Sequence, residues 1–224
     1  MPRSSTIAID GPVAAGKSAV GTLLAFRLGY RFIDTGVMYR ALTWAVLRDK
    51  IDPDDEAGGT ALAHHTQIEV TGSDGVEGSQ ISVDRQDVTN NLRTREVEQG
   101  VSRISGFTKV RKAMVARQRA FAMQGMLIMA GRDIGTVVLP DADLKIFLTA
   151  SSEERARRRY RDMKESGSSA ELAQVLEELL HRDKLDTERA NSPLRPADGA
   201  YILNTESIDL TQVVERIIAL AEDD

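Results

Sequence analysis

The feature that most constrains the fold is a glycine-rich turn near the start of the chain. Residues 11–18 read GPVAAGKS and match the pattern G-x-x-x-x-G-K-[ST]. The turn follows a short apolar run at 6–10, typical of a buried strand, and precedes a helical pattern over 17–28. In this order the backbone N–H groups of the turn surround an anion at the positive end of the helix. The sequence therefore predicts a phosphate-binding loop.

The loop predicts the donor site of a nucleotide enzyme. Lys17 is expected to reach the β- and γ-phosphates of ATP, and the Ser18 hydroxyl is expected to ligate Mg²⁺, which makes Ser18 the predicted metal ligand. The predicted ATP-binding residues are Gly11, Pro12, Val13, Ala14, Ala15, Gly16, Lys17, Ser18 and Ala19.

Other classes of phosphate-loop protein fit the sequence less well. A GTPase would need an Asn-Lys-x-Asp string, and the nearest match, DKLD at 183–186, lacks the asparagine. A motor or transporter would need an apolar strand that ends in an acid, whereas the predicted strand 126–129 continues into Ala130. Elimination leaves a small-molecule kinase.

Strand and helix patterns alternate along most of the chain, which favours an α/β fold with a parallel, doubly wound sheet. Strands are predicted at 6–10, 31–33, 126–129, 144–148 and 201–203, and helices at 17–28, 38–48, 94–123, 152–166, 170–186 and 210–221. Residues 52–59 read as a loop. Alternating residues around a turn at 72–75 predict a small antiparallel insertion over 67–92, so the core comprises 1–66 and 93–224.

Composition and charge limit which binding partners and which cellular compartment are expected for this chain. The 224 residues are 42% hydrophobic, carry a formal net charge of −5 and include no cysteine, which excludes disulfides and thiolate metal sites. No apolar run is long enough to span a membrane, and the first residues do not form a secretory signal. We expect a cytoplasmic monomer that binds neither membranes nor nucleic acid. The arginine cluster at 155–161 fits a small anionic ligand or a solvated helix face.

Sequence motifs outside the loop indicate the family of the chain more specifically than the loop does. They are DTGVMYR at 34–40, DVT at 87–89, RTREV at 93–97, GRDIGT at 131–136, R-D-x-x-D-x-x-R at 182–189 and SPL at 192–194. With the loop and the Ile9-Asp10 pair before it, they give the chain a resemblance to bacterial-type cytidylate kinases along almost its whole length. GRDIGT and R-D-x-x-D-x-x-R are far more specific than the loop.

The resemblance implies an architecture and an activity. The fold would be a five-stranded P-loop NTPase core with an insertion that closes over the monophosphate and a mobile helical lid at about 151–169. The activity would be ATP-dependent phosphorylation of CMP and dCMP to CDP and dCDP in pyrimidine nucleotide metabolism, with Mg²⁺. Two alternatives remain open: a kinase for another small acceptor, such as shikimate or adenylate, and a nucleotide-binding switch without turnover. GRDIGT argues against the other acceptors.

The resemblance also implies roles for individual residues. Arg40, Arg132 and Arg189 would bind the acceptor phosphate. Arg158 and Arg159, with Arg155, would approach the transferred group when the lid closes. These three arginines are at positions i, i+3 and i+4 and so share one helix face, whereas Arg157 and Arg161 are expected to point elsewhere, toward solvent. The implied catalytic set is Lys17, Arg132, Arg158, Arg159 and Arg189.

The implied nucleoside contacts follow the chemistry of cytosine, which presents a donor at N4 and an acceptor at N3. Asp133 would accept from N4, Arg111 would donate to N3 or O2, and Thr35 would contact the same edge. Ser102, Arg182 and Asp186 would hold the ribose. Structural alternatives are an ion pair for Asp133, a helix-surface pair for Asp186 and turn chemistry for Thr35.

One position departs from the family pattern. The family usually carries an acid directly before G-R-D, and this chain has Ala130. The metal must then depend on Ser18, phosphate oxygens and water, with Asp10 and Asp34 as further candidates. This substitution predicts an unusually high Mg²⁺ requirement.

Overall fold

A computed structural model of the chain describes residues 4–71, 80–123, 125–165, 167 and 169–223. The strands are β1 Thr6–Asp10, β2 Arg31–Asp34, β3 Ile68–Thr71, β4 Gln80–Val83, β5 Gln86–Asp87, β6 Leu127–Gly131, β7 Leu144–Thr149 and β8 Tyr201–Asn204. The helices are α1 Lys17–Leu28, α2 Thr35–Arg48, α3 Glu56–His65, α4 Arg95–Gly106, α5 Thr108–Ala122, α6 Ser152–Glu165, α7 Leu172–Glu188 and α8 Leu210–Asp223.

Five parallel strands form the main sheet in the order β2-β6-β1-β7-β8. Every residue of β6 is buried, as expected of a strand covered on both faces. Its side chains alternate: Leu127 and Met129 join the core cluster with α2, α4 and α5, whereas Ile128 joins the cluster with α1 and α8. The predicted parallel, doubly wound sheet is confirmed.

The register of the sheet brings acidic residues together at one edge. Asp10 at the end of β1 lies opposite Gly131 at the end of β6, and Asp34 at the end of β2 lies opposite Ala130. Because parallel strands all end at the same edge, the phosphate loop and the GRDIGT string meet there.

A small antiparallel sheet in the order β3-β4-β5 lies within residues 67–92. Ile81 and Val83 are buried in the core cluster while Gln80 is exposed, so this sheet has one dry face. The antiparallel prediction is confirmed, and β5 adds a strand that was not predicted. The predicted turn at 72–75 lies outside the described residues. The division of the chain into a core and an insertion stays a prediction.

Helix boundaries differ from the sequence prediction where caps and packing intervene. Helix α3 begins inside the predicted loop 52–59, because the Asp55 carboxylate accepts hydrogen bonds from the N–H groups of Ala57 and Gly58. The predicted helix 94–123 is two helices, α4 and α5, separated at Phe107, whose backbone is extended and whose side chain packs against the core. None of the described helices combines the length and the apolar character needed to cross a bilayer.

Helix α6 occupies most of the predicted lid. It begins where expected, since the Ser151 hydroxyl accepts a hydrogen bond from the N–H of Glu154. It packs along α7. The movement of this helix stays a prediction.

Candidate functional site

A cleft of about 1080 Å³ opens at the carboxyl ends of the central strands. Residues 13–19 of the glycine-rich loop line one end of it. Gly11, at the start of the same loop, has a backbone φ of 150°. A Cβ atom at this position would lie 2.3 Å from the Leu148 carbonyl oxygen. Only glycine fits at this close approach of loop and sheet.

Lys17 is folded onto its own loop. Its Nζ donates to the carbonyl oxygens of Gly11 at 2.8 Å and of Pro12 at 2.6 Å. Burial and the nearby Arg132 lower the pKa of Lys17 well below its usual value, whereas Asp34 and Asp10 raise it. A bound polyphosphate would supply the negative charge that favours the protonated form.

The possible metal ligands are hard oxygen groups. The Ser18 hydroxyl donates to Asp34 Oδ2 at 2.5 Å, so both groups lie at the same place beside the loop. The described residues contain no group of three or more His, Cys, Asp or Glu side chains placed so that they could hold a metal ion. One hydroxyl with one carboxylate fits Mg²⁺, which usually takes one or two carboxylates and completes its shell with phosphate oxygens and water.

Asp10 and Ala130 complete this corner of the cleft. Asp10 is buried and accepts hydrogen bonds at 2.7 Å from the N–H groups of both Ile134 and Gly135. Burial raises the pKa of Asp10 to about 6, against the effect of these bonds. Ala130 is fully buried in the apolar cluster beneath α1. Asp10 thus anchors the GRDIGT turn, and Asp34 is the acid closest to Ser18.

Most of the predicted acceptor residues converge on the other end of the cleft. The lining includes Thr35, Arg40, Arg111, Arg132, Asp133, Arg182, Asp186 and Arg189. Ser102 is half-buried and is not among the described lining residues; its neighbours Val101 and Ser105 are. The structure therefore brings together every predicted acceptor residue except Ser102.

Ion pairs link these residues to one another. Arg111 pairs with Asp133, and both side chains are buried. Arg132 pairs with Asp186 at 2.8 Å, and Arg189 lies 3.7 Å from Asp186. The structural alternative for Asp133, an ion pair with an arginine, is present, and both partners still face the cleft. Thr35 donates to the Ala130 carbonyl oxygen at 2.9 Å, which places it beside β6.

The acceptor side has more positive charge than its acids balance. Burial, Arg132 and Arg40 lower the pKa of Arg182 to about 10. Burial alone would raise the pKa of Asp186, but Arg132, Arg189 and Arg182 bring it below its usual value. Arg111 Nε and Arg189 Nη2 are buried without a hydrogen-bond partner in the described structure. Buried donors of this kind favour an anionic ligand.

One arginine of α6, Arg155, lies elsewhere than the sequence analysis expected. Arg155 is buried: its Nη1 donates to the Val13 carbonyl oxygen at 3.0 Å and pairs with Asp183 at 2.5 Å. Arg155 therefore supports the loop from outside the described lining, whereas Arg161 lines the cleft. Arg155 lies away from the cleft because it is in the first turn of α6, next to the loop. Arg161 is mostly solvent-facing, as expected, with a side chain that is 67% exposed.

Arg158 and Arg159 both line the cleft but have protein partners. Arg158 donates to Thr205 at its hydroxyl (2.9 Å) and its carbonyl oxygen (2.7 Å). Arg159 lies 3.7 Å from Glu98. The sequence analysis missed Glu98, because a glutamate in a predicted helix resembles any solvent-facing acid.

Comparisons with known proteins identify the family of the chain. The model of the family described as Cytidylate kinase matches residues 7–223. A cytidylate kinase of Geobacillus sp. (strain WCH70) is 45% identical over 223 residues, 100% of this chain and 99% of the relative. One of Pseudomonas aeruginosa (strain LESB58) is 44% identical over 216 residues, 96% and 94% of the two chains. The fold is shared with an uncharacterized protein from Eubacterium ventriosum ATCC 27560, with TM-score 0.52, 11% identity and coverage of 98% and 99%. The chain belongs to the cytidylate kinase family.

Proposed function

We propose that the chain transfers the γ-phosphoryl group of ATP to CMP, and to dCMP, forming CDP or dCDP for pyrimidine nucleotide metabolism. The observation that carries this proposal is a single cleft in which the Lys17 loop faces the Arg111–Asp133 pair. The acceptor oxygen belongs to a phosphate that is already ionised, so no general base is required. Catalysis then consists of positioning and of stabilising charge.

On the donor side, the ammonium group of Lys17 leaves the carbonyl oxygens of Gly11 and Pro12 and binds the β- and γ-phosphates of ATP. Residues 11–19 surround these phosphates with backbone N–H groups. Ser18 and Asp34 hold Mg²⁺, either directly or through water. When bound, Mg²⁺ neutralises part of the phosphate charge.

On the acceptor side, Arg40, Arg132 and Arg189 bind the CMP phosphate, for which planar guanidinium groups are suited. Asp133 accepts from N4 of cytosine, and Arg111 donates to N3 or O2, with Thr35 at the same edge. Arg182 and Asp186 hold the ribose, together with Ser102, which lies on α4 between the lining residues Val101 and Ser105. The support is the shared lining and the buried nitrogens Arg111 Nε and Arg189 Nη2, which have no hydrogen-bond partner in the described structure.

Helix α6, the proposed lid, supplies further positive charge at the transferred group. Arg159, and Arg158 after release from Thr205, reach the transferred group when α6 closes over the nucleotides. We further propose that the protein acts as a monomer in the cytoplasm on these small nucleotides. Its net charge of −5 and its lack of cysteine are consistent with this setting.

The test is ADP release from Mg-ATP with a panel of acceptors: CMP, dCMP, UMP, AMP and shikimate. We expect rapid release with CMP and dCMP and slow release with the others. A preference for AMP or shikimate would support another small acceptor. Tight ATP binding without acceptor-dependent ADP release would instead support a switch.

A further inference from the structure

Glu98, on α4, joins three arginines that lie on three other elements. Its carboxylate lies 3.0 Å from Arg40 Nε, 3.2 Å from Arg182 Nη1 and 3.7 Å from Arg159 Nη2. Arg40 belongs to α2, Arg159 to α6 and Arg182 to α7. One acid thus connects the acceptor side of the cleft to the helix proposed as the lid.

The direction of these contacts is informative. Among the described residues, all three arginines line the cleft and Glu98 does not. Glu98 therefore lies behind the guanidinium groups and leaves donors of each group available for a ligand. Arg40 shows this arrangement: its Nε and Nη2 donate to Glu98, while its Nη1 lies near Gly36, one helical turn earlier in α2, which also lines the cleft.

Glu98 is held firmly enough to orient other side chains. Its neighbours Val97 and Val101 are buried in the core, and Gly100 allows α4 to pack closely against Thr43 of α2. The Glu98 side chain is 20% exposed. Burial alone would raise the pKa of Glu98, but Arg40, Arg182 and Arg159 lower it below its usual value. The group is therefore an anion at neutral pH.

We infer that Glu98 is a positioning residue that aims Arg40 and Arg182 at the acceptor and Arg159 at the transferred group. The inference rests on the proposed function. Three neighbouring guanidinium groups repel one another, and each has a long flexible side chain. One carboxylate holds all three and leaves a net positive charge for phosphate. Without it the arginines would separate and lose their common direction.

The test uses Glu98→Gln, which keeps the shape of the side chain and removes its charge. We expect the KM for CMP to rise about tenfold while the KM for ATP changes less than about twofold, because misplacement affects the acceptor arginines. Glu96→Gln is the matched control: Glu96 is exposed in the same first turn of α4 and makes none of the ion pairs found among the described residues. It should behave like the unmodified chain.

Two further measurements separate positioning from a general loss of structure. The ratio of the Kd of cytidine to the Kd of CMP, obtained by calorimetry, should fall severalfold in Glu98→Gln, since cytidine keeps the ribose assigned to Arg182 but lacks the phosphate assigned to Arg40. Arg40→Gln and Glu98→Gln together should raise the KM for CMP by less than the product of their separate effects. Should Glu98→Gln fail to fold, Glu98→Asp takes its place in the same assays.

Several outcomes would overturn the inference. They are an unchanged or lowered KM for CMP, equal weakening of CMP and cytidine, or fully independent effects of the two substitutions. A lowered KM would mean that Glu98 competes with the phosphate. These results are distinct from failure of the proposed function, which would appear as an unmodified chain that does not phosphorylate CMP.

Discussion

The two ends of the cleft are built in different ways. The phosphate-binding part of the donor end is one contiguous segment, of which residues 13–19 line the cleft, and its proposed binding groups are the backbone N–H groups and Lys17. The acceptor end combines side chains from α2, α5, α7 and the turn after β6, which are drawn from positions between Thr35 and Arg189 in the chain. The donor end depends on local geometry, and the acceptor end depends on the packing of distant elements and on paired charges. Substitutions at the two ends should therefore affect different kinetic constants.

The largest expected effect is at the donor end. Lys17→Ala removes the charge that stabilises the phosphoryl group in the transition state, and we expect kcat to fall about a hundredfold or more. The Kd of CMP without ATP should be unchanged, because Lys17 is assigned to the donor. Steady-state kinetics and calorimetry measure the two quantities, with the exposed Lys112→Ala as control. Near-normal turnover in Lys17→Ala would contradict the donor assignment.

The next effect tests the acceptor end through the base. Uracil reverses the donor at N4 and the acceptor at N3, and leaves buried groups of Arg111 and Asp133 unpaired. We expect CMP to be preferred over UMP about a hundredfold or more in kcat/KM. Asp133→Ala should reduce both this preference and the rate, and Asp133→Asn should do so while retaining an acceptor for Arg111. The exposed Asp141→Ala is the control. Equal use of UMP by the unmodified chain would refute the base contacts.

A smaller effect concerns the metal, at the boundary between the two ends. Asp34→Asn keeps the oxygen that caps α2 but removes the charge beside Ser18. We expect the free Mg²⁺ concentration at half-maximal rate to rise about tenfold, as is typical when a supporting group of a metal site is lost. The measurement is initial rate against free Mg²⁺ at saturating Mg-ATP, with Asp141→Asn as control. An unchanged midpoint would assign the supporting role to another group.

The smallest effect is expected when a carboxylate is added on the neighbouring strand, β6. Ala130→Asp adds a carboxylate opposite Asp34 in the β2–β6 register. We expect it to lower the Mg²⁺ midpoint by about tenfold at most. Because Ala130 is fully buried among apolar residues, the substitution should also lower the melting temperature. If both the midpoint and kcat stay the same, position 130 does not support the metal in this protein.

Features that depend on local sequence were predicted more fully than features that depend on the packing of distant elements. The family resemblance is confirmed, and so are the parallel sheet and the antiparallel strands, because buried strands read as apolar runs and the glycine loop has a local signature. The residue roles stay predictions. Among them, Ser102 lies outside the described lining, since its place depends on how α4 packs. The break at Phe107 was missed because its cause is burial of that side chain against the core.

The sequence by itself determined the features that reside in a short stretch of chain. These are the loop at 11–18, the strand and helix order, and the strings that identify the family. The physical reason is that loop conformation, capping and periodic burial depend on residues close together in sequence.

Only the tertiary structure decided which charges meet. Helical spacing placed Arg155 with Arg158, but the first turn of α6 lies against the loop, so Arg155 pairs with Asp183 and lies outside the described lining of the cleft. Glu98 joins arginines from positions 40, 159 and 182 because α2, α4, α6 and α7 converge beside the cleft. An ion pair requires a short distance in space, which spacing along the chain does not specify.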